Sequence, residues 1–261
     1  MNAVADVPEI EIAGVSKQYG DAHRVLESVD LMVAKQEFIT IIGPSGCGKS
    51  TILKLIAGLA TPTSGMIRVD GRTPQDARET VSFVFQDATL LPWRTVKENI
   101  GLGLELERKP RAQREKEIDG LLELVGLGHV AKAYPRELSG GMKMRVSIAR
   151  ALATNPRLML LDEPFAALDE MSRDRLNEEI LRLRAERGWT AVFVTHSVAE
   201  AVFLSDRIIV LAPNPGRVYA EFRIALPAPR TSAIRNSPEF DAIASRVAHT
   251  LRETLQEMPS P

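Results

Sequence analysis

Nine residues, Gly43-Pro44-Ser45-Gly46-Cys47-Gly48-Lys49-Ser50-Thr51, fit the spacing G-x-x-x-x-G-K-[ST]. Glycines at this spacing let the backbone curl until successive N–H groups point inward, which is how a chain cradles phosphate oxygens. A lysine at the seventh place reaches the β- and γ-phosphates, and a hydroxyl at the eighth can ligate Mg²⁺. The pattern carries weight only between a strand and a helix. Glu37 to Ile42 before it reads as a short buried strand, and Thr51 to Leu59 after it reads as a helix whose N-terminus adds partial positive charge. The expectation is a nucleoside triphosphate site.

Three further stretches put reactive side chains at strand ends, and a fourth puts them before a helix. Arg157 to Leu161 is apolar after its first residue and closes on Asp162-Glu163-Pro164. There Asp162 can hold the Mg²⁺ shell, and Glu163 can orient or deprotonate an attacking water. Val81 to Phe85 leads to Gln86, whose amide can touch Mg²⁺ or water, and Thr190 to Thr195 leads to His196, which can contact a γ-phosphate. Leu138-Ser139-Gly140-Gly141-Met142 precedes a helix predicted over Lys143 to Leu152, a second place where hydroxyl and N–H groups can meet phosphate. Tyr19 can stack on a purine. Taken singly, Gln86 also reads as a loop residue, His196 as a satisfied buried histidine, Tyr19 as turn packing and the Ser-Gly-Gly as a helix cap.

The elements that position these residues alternate. Strands are expected at Glu9 to Ile12, Val25 to Val33, Met66 to Val69, Arg207 to Leu211 and Val218 to Ala225, besides those above. Thr61 to Gly65 reads as a turn. Val96 to Ala153 reads mostly as helix, an insert between strands of an α/β core, and Asp169 to Arg187 reads as a charged amphipathic helix. Pro227, Pro229 and Arg230 start a linker. Phe240, Ile243, Val247 and Leu251 recur at helical spacing, so the tail is expected to end in an amphipathic helix. Strands alternating with helices predict a mostly parallel sheet with N-terminal antiparallel strands, and ligands sit at the carboxyl ends of such strands. Gly43, Gln86, Asp162-Glu163 and His196 all follow strands at that end.

Bulk composition narrows the partners. The 261 residues are 44% hydrophobic and 26% charged, with net charge -1, so no global basic field draws nucleic acid. The single cysteine, Cys47, excludes an internal disulfide framework and suits a reducing compartment. No apolar run approaches the ~20 residues that span a bilayer, and Met1 to Pro8 does not read as a secretory signal. Membrane association is therefore expected through a partner.

From about Ile10 to Ala225 the chain resembles the ATP-binding subunits of ABC transporters. The P-loop (Gly43 to Thr51), the Gln86 loop, Leu138 to Met142, Leu158 to Glu163, Ala167-Leu168-Asp169 and His196 carry the resemblance, in the family's order. It implies ATP and Mg²⁺, with Tyr19 on the adenine, Ser50, Gln86 and Asp162 around the metal, Glu163 as base and His196 sensing the γ-phosphate. It also implies a head-to-tail homodimer in which Ser139 and Gly141 contact ATP held by the other subunit and Asp169 couples the two sites. The implied architecture is an ATPase domain over 9–225, with core segments 9–86 and 154–225 and a helical insert over 87–153, followed by an extension over 226–261.

Leu91-Pro92-Trp93-Arg94-Thr95-Val96, Glu163 to Glu170 and Ala212 to Val218 are similar to the importers of nitrate, alkanesulfonates and taurine. The chain departs from the family's usual pattern in having Met144 where glutamine precedes Arg145. The resemblance implies ATP-driven import through a separate permease, fed by an extracytoplasmic solute-binding protein, at the cytoplasmic face of the inner membrane. Trp93 reads either as a groove residue for a permease helix or as local core packing. A soluble ABC-type ATPase, an ABC importer of another small solute and a P-loop kinase of small molecules are the competing readings. Lys49→Ala is expected to weaken ATP binding about tenfold or more, since hydrogen bonds to charged groups contribute about 1.5–3 kcal/mol. Calorimetric titration checks this, and an unchanged affinity would contradict the P-loop reading.

Overall fold

The computed structural model describes residues 7–20 and 23–256, so most of Met1 to Pro8, the segment that does not read as a secretory signal, lies outside the described residues. In chain order the strands are β1 (Ile10–Tyr19), β2 (His23–Val33), β3 (Phe38–Ile42), β4 (Ser64–Val69), β5 (Val81–Val84), β6 (Leu158–Asp162), β7 (Thr190–Val194), β8 (Arg207–Ala212) and β9 (Arg217–Arg223). The helices are α1 (Lys49–Ile56), α2 (Val96–Ile100), α3 (Leu102–Leu106), α4 (Arg111–Leu124), α5 (Gly140–Ala153), α6 (Glu170–Arg187), α7 (Val198–Leu204) and α8 (Pro238–Gln256).

Strands β3, β6 and β7 are buried at every position, as strands covered on both faces must be. They form the middle of a six-stranded sheet in the order β5-β6-β7-β3-β8-β9. All neighbours run parallel except β9, which returns antiparallel to β8. A separate three-stranded antiparallel sheet, β2-β1-β4, supplies the predicted N-terminal strands. Period-two alternation divides the core. Phe38, Phe193 and Leu161 face a cluster with α5, α6, α7 and α8, while Ile39, Val192 and Leu160 face α1 and the three-stranded sheet.

The mostly parallel α/β sheet agrees with the sequence, and several boundaries move. The strands expected to run through Glu163 and Thr195 stop at Asp162 and Val194. The turn over Thr61 to Gly65 gives its last two residues to β4. Helix α5 starts at Gly140, three residues before the expected Lys143, because the Ser139 hydroxyl accepts from the Met142 N–H at 3.3 Å and caps it. Helix α7 had no sequence expectation. The tail helix appears with the expected face inward: Phe240 and Val247 are buried, and Ile243 and Leu251 pack on the same cluster. Arg246 lies 5.7 Å from the Phe222 ring of β9, closing the helix over the sheet edge.

Candidate active site

Four helices begin where the sheet's carboxyl edge meets the predicted site residues, and their caps differ. Asp169 caps α6 by accepting from the Ser172 N–H at 2.9 Å, and Ser197 caps α7 by accepting from the Glu200 N–H at 3.3 Å. Ser139 caps α5 in the same way. Helix α1 is capped by Gly48, with φ 95° and no side-chain hydrogen bond. Its first-turn N–H groups therefore lack the protein acceptor the other three have, which leaves them to an anion. The left-handed backbone there favours glycine, and a Cβ at position 48 would also lie 2.5 Å from Leu26 Cδ2 and push that methyl aside.

Inside the loop, Lys49 Nζ donates to the carbonyls of Gly43 at 2.8 Å and Pro44 at 2.9 Å. The lysine is 7% exposed, and among the described residues no carboxylate pairs with it. A buried ammonium held only by neutral carbonyls fits a triphosphate as counter-anion. Cys47 is fully buried 4.0 Å away, and burial pushes its thiol up, so it stays protonated filler beneath the loop.

Strand β6 sets Asp162 against the start of α1, where the Ser50 hydroxyl donates to its carboxylate at 2.9 Å. Asp162 is 5% exposed. Burial raises its pKa above the usual carboxylate range and Glu163 raises it further, while the Ser50 hydrogen bond, Lys54 and Lys49 pull it down. Hydroxyl and carboxylate oxygens are hard donors, and one carboxylate with a hydroxyl and substrate phosphates is how Mg²⁺ is commonly held. The Ser50 hydroxyl and Asp162 carboxylate beside the Lys49 loop fit Mg²⁺ shared with a nucleotide.

Glu163 turns the chain sharply, with φ 46°, its N–H donating to the Val194 carbonyl at 2.9 Å. A non-glycine residue in the left-handed region stores strain and clusters at functional sites. The turn swings the Glu163 carboxylate to 3.3 Å from His196 Nδ1, with the imidazole exposed. Gln86 is exposed just beyond β5. The loop after it is tied to α5, since Arg150 donates to the Thr89 carbonyl at 3.0 Å and hydroxyl at 3.2 Å.

The structure thus brings together the P-loop, Ser50 and Asp162, and separately Glu163 and His196. Ser139 and Gly140 are exposed. A Cβ on Gly141 would meet the Ala167 carbonyl at 3.0 Å, so the start of α5 rests on the Ala167-Leu168-Asp169 turn. Tyr19 is half-exposed at the end of β1, with the Lys17 ammonium 4.7 Å from its ring centre. Trp93 is 70% exposed, which excludes the core-packing reading. Met144 is buried in the core cluster and directs no polar atom to the site. Sequence reasoning passed over Glu200 on α7, an acid in an otherwise apolar turn that is buried and receives the Thr195 hydroxyl.

Asp162 yields a pH-dependent expectation. Its folded pKa lies above the unfolded value of about 3.9, so the stability it contributes is full below that value and is lost as pH rises through the folded value. At pH 8 Asp162→Asn removes a buried charge while keeping an acceptor for Ser50. The nucleotide-free variant is expected to melt no lower than the parent, and its apparent Mg²⁺ affinity to drop at least about tenfold. Calorimetry across pH 5–8 and Mg²⁺ titration check both, and a variant that melts lower at pH 8 would contradict the assignment.

Comparisons with known proteins agree with this geometry. The family model described as ABC transporter matches residues 26–166. The aliphatic sulfonates import ATP-binding protein of Bacillus cereus is 43% identical over 232 residues, covering 89% of this chain and 90% of its own length. The bicarbonate transport ATP-binding protein of Synechococcus elongatus is 43% identical over 238 residues, 90% of this chain and 36% of that longer protein. A dimeric ATP-binding cassette, solved in a post-hydrolysis state bound to ADP and Pi, superposes with TM-score 0.77 at 34% identity, over 83% of this chain and 99% of its own. The chain belongs to the ABC transporter family of ATP-binding domains, with the ABC ATPase fold and ATP hydrolysis with Mg²⁺ as its chemistry.

Proposed function

We propose that this chain is the ATP-hydrolysing subunit of an ABC importer that energises uptake of a small anion or organic solute of the nitrate, sulfonate or taurine kind. The observation that carries the hydrolytic part is the Glu163 carboxylate, turned by its left-handed backbone to 3.3 Å from His196, one residue beyond Asp162. The sulfonate and bicarbonate relatives support the choice of cargo class.

The residues divide the work as follows. Gly43 to Thr51 wraps the phosphates, with Lys49 on the β- and γ-oxygens. Ser50, Gln86 and Asp162 hold Mg²⁺, which when bound offsets the charge on the phosphates. Glu163 takes a proton from the attacking water, and His196 orients the γ-phosphate beside it. Tyr19 stacks on the adenine. Ser139 and Gly140 lie exposed at the start of α5, which supports their serving, with Gly141, the nucleotide of a second copy.

Two copies close head to tail on two ATP molecules. The ATPase unit is 9–225, its helical insert 87–153, and 226–261 forms the extension. Closure carries the insert through the Arg150–Thr89 tie, next to the exposed Trp93, where a permease helix docks. No helix among the described residues is long and apolar enough to cross a membrane, which supports attachment to the inner membrane's cytoplasmic face through that permease. An extracytoplasmic solute-binding protein delivers the cargo.

Glu163→Gln is expected to lower turnover by about 10²-fold or more, since general bases contribute about 10²–10⁴. ATP binding should persist and the dimer should accumulate on size exclusion. Near-parental hydrolysis would remove Glu163 from the scheme.

A further inference from the structure

Beneath the site lies a charged pair that the hydrolytic scheme does not use. Glu200, on the first turn of α7, is 5% exposed and is followed in the chain by fully buried Ala201 to Leu204. One carboxylate oxygen accepts from the Thr195 hydroxyl, and the other forms an ion pair with Arg173 Nε at 3.4 Å. Burial pushes the carboxyl up, and Thr195, Arg173, His196 and Arg235 hold it down.

Each partner reaches onward to a different loop. Arg173, on α6, donates from Nη2 to the Leu168 carbonyl at 3.1 Å. Leu168 directly precedes Asp169, the cap of α6, and lies in the turn that follows Glu163. The Thr195 hydroxyl also accepts from the Ser197 N–H at 3.0 Å, so it closes the bend that carries His196. A continuous polar chain therefore runs Leu168–Arg173–Glu200–Thr195–Ser197. Its two ends are the loop leaving Glu163 and the loop bearing His196.

Helix packing alone does not call for this arrangement. Taking a carboxylate out of water costs several kcal/mol, and a well-packed apolar residue in its place is often neutral or stabilising. The rest of that helix face is apolar. What a carboxylate supplies here, and an apolar side chain does not, is a tie between two loops from different strands: a hydrogen bond from Thr195 on one side and charge attraction to Arg173, without a hydrogen bond to Nε, on the other.

We propose that Glu200 is a positioning residue which, paired with Arg173, locks the Leu168-Asp169 turn to the Thr195–Ser197 bend so that the two move as one unit. Gly141 rests on the Ala167–Asp169 turn, so a second copy seated at Ser139 to Gly141 would press on that turn, and the lock would carry its arrival to His196. This last step rests on the proposed function; the lock itself rests on the geometry alone.

The test uses the full chain with Glu200→Gln, Arg173→Gln and the double substitution. Glutamine at 200 keeps an acceptor for Thr195 and removes only the charge. In the nucleotide-free protein, either single change is expected to speed amide hydrogen exchange severalfold in both 166–170 and 195–198, with the strand core unchanged. The double variant should match the worse single, since both remove one interaction. Turnover should fall about tenfold to a hundredfold while the ATP dissociation constant stays within about twofold, the mark of misplacement rather than lost binding.

Exchange that changes only in the segment next to the substituted residue would overturn the lock, as would effects that multiply in the double variant. Coupled exchange with unchanged turnover would overturn the positioning role. Arg173 is a third exposed, so Arg173→Gln carries the test, read at 195–198, if Glu200→Gln fails to fold. A parent chain that hydrolyses no ATP would sink the proposed function and leave the exchange result standing.

Discussion

The hydrogen bond from Ser50 to Asp162 is the joint on which the site depends. It ties the start of α1, which follows β3, to the end of β6; β3 and β6 are not neighbours, and β7 lies between them. It also buries a carboxylate whose ordinary preference is water, and burial raises its pKa accordingly. A short apolar sheet with one buried acid at its edge is a poor resting arrangement unless a cation completes it. The unpaired Lys49 ammonium beside it has the opposite need. Anion and cation sought in one pocket are what Mg²⁺ with a triphosphate supplies.

Helix caps sort the roles of the surrounding loops. Ser139, Asp169 and Ser197 each satisfy an N–H of their own helix, so those loops are complete within one chain. Gly48 does not, and of these four helices α1 is the one left with an open N-terminus. The three capped loops are also joined to one another: Gly141 rests on Ala167, and Leu168 is held by Arg173, which pairs with Glu200 beside Thr195. The phosphate cradle is the open part of the site, and the loops that would close around it form a connected frame.

How much of this was legible follows from the range of each interaction. The P-loop, the strands ending at Asp162 and near His196, and the tail helix's inward face all rest on local spacing, and all appear in the structure. Helix α7 did not show because its seven residues are buried around most of the circumference, which erases the helical period. The start of α5 was misplaced because a glycine pair reads as a break, whereas Ser139 caps the helix through it. Glu163 was read as the last strand residue; its left-handed turn is imposed by the Val194 carbonyl on a neighbouring strand. Trp93 stood open between groove and core, and only its exposure decides the matter. Glu200 and Arg173 are 27 positions apart on different helices, and no pattern along the chain marks such a pair.

The central claim is that Gly43 to Thr51 forms half of a hydrolytic site, completed by Ser139, Gly140 and Gly141 of a second copy. Its most direct measure is the specific ATPase rate as a function of protein concentration, with ATP saturating and binding followed in parallel. The account predicts that dilute monomer binds ATP yet hydrolyses it slowly, and that rate per molecule climbs with concentration until the dimer saturates. A specific rate that is full in strictly monomeric protein and independent of concentration would contradict it.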